Sequence, residues 1–193
     1  MKTICINRHD RKDRWNKALL EFDKIECNAE RFDAIIKSPG WQGCRDSHLA
    51  ILEQNKTEQT FMVLEDDVAF MPDARKNLDR AILELPYYWD ILYLGCNPLE
   101  KLEQYSDHLY YLKKSYTTHA IIFNNPGMID FILSQIGKIR KIDVFYSDVI
   151  FEKYNCFVTY PLVAAQHNGV SNICKGTTNY FNTITNNFKK FTR

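Results

Sequence analysis

The sequence predicts an α/β fold in a single domain, with a largely parallel central sheet flanked by helices. Three observations carry this. Apolar runs that read as strands alternate along the chain with stretches of helical periodicity, the order that builds strand–helix–strand units. Two of these runs, Phe61–Leu64 and Ile91–Leu94, lack the in–out alternation of a half-exposed strand and suit strands buried on both faces. The 193 residues contain no internal repeat and suffice for one sizeable core.

The elements follow in order. Thr3–Ile6 is a first strand that ends at Asn7, and the charged segment Arg8–Arg14 leads into a helix with Trp15, Ala18, Leu19 and Phe22 on its apolar face. Guanidinium forks match phosphate oxygens, so the arginines of this loop suit a diphosphate, with a solvated loop as the alternative. Glu30–Ile36 reads as a second strand, and Ser38–Gly43 is a turn-rich break. From Cys44 to Gln54 the pattern is helical. Cys44, His48, Ile51 and Leu52 share one face, which turns His48 inward, either as a ligand-binding group or as a hydrogen-bonded core histidine.

Phe61–Leu64 then runs into Glu65, Asp66 and Asp67, where a central strand leaves the core. The crevice beyond the carboxyl ends of strands is where open α/β sheets bind ligands. Three adjacent carboxylates repel one another and call for a counter-ion. Mg²⁺ or Mn²⁺, with phosphate oxygens completing the shell, is the expectation, and a solvated acidic turn is the alternative.

Ala74–Leu85 is a helix ended by Pro86, Trp89–Gly95 another buried strand, and Asn97–Asp107 a polar stretch without periodicity, expected to be a mobile loop. Leu109–Leu112 and Thr118–Phe123 are further strands, Asn125 starts a helix through Ile136, Asp143 precedes a helix to Tyr154, and Cys156–Tyr160 is a last strand broken by Pro161. In the Asn/Thr-rich tail, Tyr180, Ile184, Phe188 and Phe191 fall on one helical face. That face could dock on the domain or make a peripheral contact with an anionic membrane.

The 25 basic and 24 acidic residues leave a net charge of +1, which argues against a dominant polyanion-binding surface and so against nucleic acid as an obvious partner, with a local basic patch as the alternative. Six cysteines stand singly, without zinc-site or redox spacing, as small core residues of a reducing compartment. With neither a leader nor a long apolar run in view, a cytoplasmic protein is expected.

Several of these stretches together resemble glycosyltransferase family 25, the family of lipooligosaccharide and collagen-type galactosyltransferases. The matching residues are Ile6-Asn7 with Arg11, Asp13 and Arg14; Arg31-Phe32-Asp33-Ala34; Gly40, Gly43-Cys44 and Ser47-His48-Leu49; and Leu64-Glu65-Asp66-Asp67-Val68. Trp89–Gly95, Thr118-His119-Ala120, Asp143 and the segment Pro161–Ile173 with Gln166, His167, Ser171 and Asn172 complete them. Gly-Cys-x-x-Ser-His followed closely by Leu-Glu-Asp-Asp is the distinctive pair. The chain is short for the family, and its acidic motif begins with Glu65 where many members of the fold class have Asp.

The resemblance implies a GT-A, Rossmann-like domain over residues 1–174 and a basic tail over 175–193. It implies a UDP-sugar donor contacted by Asn7, Arg11, Arg14, Ser47, His48, Glu65 and Asp66, with Glu65 toward the ribose. A Mn²⁺ or Mg²⁺ ion would be held by Asp67 and His167, the latter alternatively a surface histidine beside the Asn168-Gly169 turn. Asp143 is expected as the general base of an inverting transfer of galactose or glucose to a glycan or protein hydroxyl, with an N-cap role as the alternative. A nucleotidyltransferase and an inactive nucleotide-sugar-binding protein are the competing functional readings.

Overall fold

The computed structural model describes residues 1–170 and 177–192. Ser171, Asn172, Cys174 and the expected 174/175 boundary lie outside the described residues. Along the chain come β1 (Lys2–Asn7), α1 (Lys12–Asp23), β2 (Glu30–Asp33), α2 (Gly40–Asn55), β3 (Phe61–Glu65), β4 (Val68–Phe70), α3 (Ala74–Leu83) and β5 (Ile91–Tyr93). The short strands β6 (Asn97–Pro98), β7 (Glu103–Gln104), β8 (Leu109–Tyr111) and β9 (Ser115–Tyr116) follow, then β10 (Ala120–Phe123) and α4 (Pro126–Ser134). A helical stretch consists of α5 (Ile142–Phe145), a π-helical turn over Tyr146–Ile150 and α6 (Phe151–Lys153). The chain closes with β11 (Cys156–Thr159), β12 (Ala164–Gln166), β13 (Gly169–Val170), β14 (Thr177–Thr178) and α7 (Tyr180–Phe191).

The main sheet has the order β2-β1-β3-β10-β5-β11-β8-β7. Strands β2, β1, β3, β5, β11 and β7 run one way, and β10 and β8 run against them. β10 lies between β3 and β5 and pairs antiparallel with both, and at one end of its β3 register Phe123 meets Phe61 with stacked rings. The runs without alternation are buried on both faces, as their composition requires: Phe61, Met62, Val63 and Leu64 are all 1 % exposed or less.

Successive strand residues point to opposite faces, and each face has its own helices. Ile4, Ile6, Phe61, Val63, Ile121 and Phe123 pack with Leu49, Ile51 and Leu52 of α2, with α4 and with α7. Cys5, Met62, Leu64, Leu92 and Ile122 pack with Ala18 and Phe22 of α1 and with Leu78 and Ala81 of α3. The fold is therefore a single α/β domain with helices on both faces of a mostly one-directional sheet.

Several sequence expectations shift in detail. On α1 the carboxylate Glu21 is buried and Leu19 is 43 % exposed, because Glu21 accepts hydrogen bonds from the Phe70 amide at 2.7 Å and from Lys24. Val68–Phe70, just beyond the acidic triplet, is a strand of its own paired with β12. The segment 97–107 is no structureless loop: β6 pairs with β9, β7 pairs with β8, and buried Leu102 donates its amide to the Phe191 carbonyl at 2.9 Å. Ile184 and Phe188 of α7 are buried in the domain, which thus takes up the apolar face that the sequence offered to a membrane. Among the described residues no helix is long and apolar enough to cross a membrane.

Candidate active site

Three parallel strands end at one edge. In register, Asn7 lies opposite Asp33 and Ile6 opposite Glu65, so the carboxyl ends of β2, β1 and β3 open on a common crevice, the position favoured for ligands in open α/β sheets. A cavity of about 360 Å³ occupies it, lined by the acidic triplet Glu65–Asp67, by Arg8 and Arg14, and by residues of the first turns of α2 and α5. A larger and more open depression of about 780 Å³ beside α3 is lined by none of the residues that the sequence singles out for a site.

The acidic turn is pinned through its backbone from three directions. The Glu65 amide donates to the His119 carbonyl at 2.9 Å, the Asp66 amide to Ile6 at 3.1 Å, and the Asp67 carbonyl accepts from His167 at 2.7 Å. Its three carboxylates go to different partners, which limits their mutual repulsion. Glu65 Oε1 accepts from the Thr118 hydroxyl at 2.7 Å and lies 3.0 Å from His48 Nε2. Burial pushes Glu65 up, but the bonds and charge of His48 and Thr118 outweigh it and leave the carboxyl below its usual range. Asp66 Oδ2 accepts from Asn7 at 2.7 Å, and its Oδ1 pairs with Arg14 at 2.8 Å.

Asp67 has the weakest support, with Gln166 Nε2 at 3.3 Å and Arg14 at 3.8 Å. Burial, then the charges of Glu65 and Asp66, push its carboxyl up to about 7. The counter-ion that the triplet demands is thus partly supplied by the chain itself, as Arg14.

α2 is drawn against this edge by Gly43. A Cβ at that position would collide with the Ile35 carbonyl, so glycine allows the first helical turn to close on the chain leaving β2. Ser47 completes the joint: its hydroxyl donates to the Gly43 carbonyl and accepts from the Ile35 amide, each at 2.8 Å. Ser47 therefore lines the cavity with its hydroxyl proton committed to the fold. His48, one residue on, is fully enclosed and reaches Glu65.

Asp143 also lines the cavity. It sits inside the first turn of α5, whose cap position is Lys141, so the N-cap alternative does not hold. Its carboxylate accepts from the neighbouring Val144 amide at 2.9 Å, and burial raises its pKa against that bond.

The structure thus gathers Arg14, Ser47, His48, Glu65, Asp66, Asp67 and Asp143 around one cavity, with Asn7 directly behind Asp66. Two expected residues are placed elsewhere. Arg11 turns to Asp13 in a bidentate pair at 2.8 Å and does not line the cavity, where Arg8 stands instead. His167 touches Asp67 only through its backbone; its ring reaches Glu21 at 3.0 Å and is 47 % exposed, so it is not presented to the cavity. Asp148, the next carboxylate along the same helical stretch, pairs with Lys114 at 3.0 Å. Cys44, Thr118 and Gln166 line the site without having been singled out for roles, although all three stand within stretches that carried the family resemblance.

Asp67, whose carboxyl is raised by burial and then by its anionic neighbours and whose ion pair with Arg14 is long at 3.8 Å, is the oxygen donor of the triplet that a hard divalent cation would fit. His167 does not fit as its partner.

Fold and site define the class: a single-domain α/β protein with a charged ligand crevice at the carboxyl ends of parallel strands. No protein-family model matches the chain, and no curated protein matches it. Among solved structures it is similar to a mannose-1-phosphate geranyltransferase from Thermus thermophilus, with a TM-score of 0.49 and 12 % identity over 82 % of this chain and 74 % of that one. It is also similar to a glycosyltransferase involved in the glycosylation of the major capsid of PBCV-1, with a TM-score of 0.49 and 9 % identity over 82 % of this chain and 81 % of that one. A third is A197 from STIV, with a TM-score of 0.46 and 12 % identity over 89 % and 91 %. Likenesses of this depth assign the chain no activity.

Proposed function

We propose that the protein is a glycosyltransferase that moves a hexose, galactose or glucose, from a UDP-sugar to a hydroxyl of a glycan or protein acceptor, with inversion. The observation that carries this reading is the convergence on one crevice of an acidic turn, two arginines and a separate carboxylate, Asp143 of α5. Glycosyl transfer needs these three things: a place for a diphosphate, stabilisation of its charge as it leaves, and a base for the acceptor. Arg8 and Arg14 provide cationic groups at the phosphate side. Asp67 would hold Mn²⁺ or Mg²⁺, which when bound neutralises charge on the leaving diphosphate as a Lewis acid.

Asp143, half-buried and with its carboxyl raised above the usual range by burial, would take the acceptor's proton. In that step the acceptor oxygen bonds to the anomeric carbon, the bond from that carbon to the diphosphate breaks, and the proton passes to the Asp143 carboxylate. The test is a screen of UDP-sugars for release of UDP with and without Mn²⁺, in the wild type and in Asp143→Asn. Metal-stimulated release that falls by ~10²–10⁴ in the variant when acceptor is present supports the reading. Release of pyrophosphate from a nucleoside triphosphate would make it a nucleotidyltransferase, and donor binding without turnover against an acceptor panel would make it a binding protein.

A further inference from the structure

We propose that Cys44, His48 and Glu65 form a binding site for a divalent cation of the zinc class, distinct from the oxygen-liganded position expected at Asp67. One ligand atom from each of the three residues lies within 4.8 Å of the others, a separation that small side-chain rotations close around one ion. The geometry arises from two elements. Cys44 and His48 stand four residues apart on α2 and so share a face, and β3 delivers Glu65 from the opposite side.

The chemistry of the set is specific. Thiolate, imidazole and carboxylate together match zinc, whereas Mg²⁺ and Mn²⁺ prefer oxygen alone. Three protein ligands leave a coordination position toward the cavity that all three line, which is the open type of zinc site. Glu65 also has the support that metal-ligating carboxylates require: Thr118 holds its Oε1 at 2.7 Å and fixes its orientation. The surrounding charge favours a cation, since Asp67 and Asp143 act on the Cys44 thiol together with Glu65. The inference does not depend on the glycosyltransferase reading, because it concerns affinity for an ion and not turnover.

The test is a titration of the metal-stripped full chain with Co²⁺, followed by absorption spectroscopy. The expected result is one equivalent bound, with thiolate-to-cobalt charge transfer in the near ultraviolet, displaced by Zn²⁺ and not by an equal concentration of Mg²⁺. Cys44→Ser should remove the charge-transfer band, His48→Gln should weaken binding at least about tenfold, and Cys27→Ser, on the far face of the sheet, should leave the band intact. Circular dichroism of each variant separates loss of the site from loss of the fold, and the wild-type spectrum is decisive without any variant. Absence of the thiolate band in wild type, or its persistence in Cys44→Ser, would overturn the proposal.

Discussion

Replacing Asp67 with Asn in the metal-free protein should stabilise it, and by an amount that grows with pH. The Asp67 carboxyl is pushed from 3.8 to about 7 by burial and then by Glu65 and Asp66, against the opposing influence of Arg14 and Gln166. The unfolded chain gives up this proton near the lower value and the folded chain near the upper. Between them the folded state binds more protons, so stability falls as pH rises and the loss is complete above about 7.

At 1.36 kcal/mol per pH unit the full displacement corresponds to ~4 kcal/mol, reduced because 21 % of the side chain meets solvent. Asn keeps the shape and the Gln166 contact and has nothing to ionise. His119 acts in the opposite direction: burial lowers its pKa from 6.5 to about 4, so the protein loses stability as pH falls through that window. That contribution is common to both proteins and cancels in their difference. Urea unfolding in EDTA, in unit steps from about pH 4 to about pH 8, measures the difference directly. A gap in favour of Asn that opens with pH and levels off at ~2–4 kcal/mol is expected. Parallel curves, or a wild type that is the more stable at the alkaline end, would refute the reading of Asp67 as the least compensated carboxylate of the triplet.

Mn²⁺ at about a hundredfold its Kd should stabilise wild type by ~2.7 kcal/mol and Asp67→Asn by much less, read as the shift of the same unfolding midpoint; equal shifts would move the ion away from Asp67. Arg14→Met should cost ~3–5 kcal/mol, because it strips a buried carboxylate of its partner, whereas Arg11→Ala should leave the melting temperature nearly unchanged, its pair with Asp13 being at the surface. The same two variants divide on ligand binding: UDP affinity should fall in Arg14→Met and hold in Arg11→Ala, as calorimetric titration would show. Gly95→Ala should destabilise by about 1–3 kcal/mol or more, since its Cβ would strike the backbone carbonyl of Ala164 beside the His119 ring; a thermal melt matching wild type would contradict that close approach.

The sequence alone determined those features whose cause lies within a few residues along the chain. The unbroken apolar run Phe61–Leu64 had to be a strand buried on both faces, the spacing of Cys44, His48, Ile51 and Leu52 had to put them on one helical face, and the acidic triplet had to leave the core at the end of a strand. Period and turn chemistry are local, and the structure follows them. Partner choice is not local. Nothing near Ala120–Phe123 says that this strand will enter between β3 and β5 and run against both, because that pairing is decided by which hydrophobic faces remain to be covered once the chain has crossed over.

The same holds at the site. Arg11 and Arg14 are equivalent in the sequence, three residues apart in one basic loop, yet only Arg14 lies over the acidic turn, because α1 begins between them and turns Arg11 back to Asp13. Glu21 is absent from the apolar face that the spacing of this helix predicts, yet the buried amide of Phe70 required an acceptor, and Glu21 in turn captured the ring of His167. Long charged side chains commit to whichever unsatisfied group the packed fold leaves within reach, and that reach spans elements far apart in the chain.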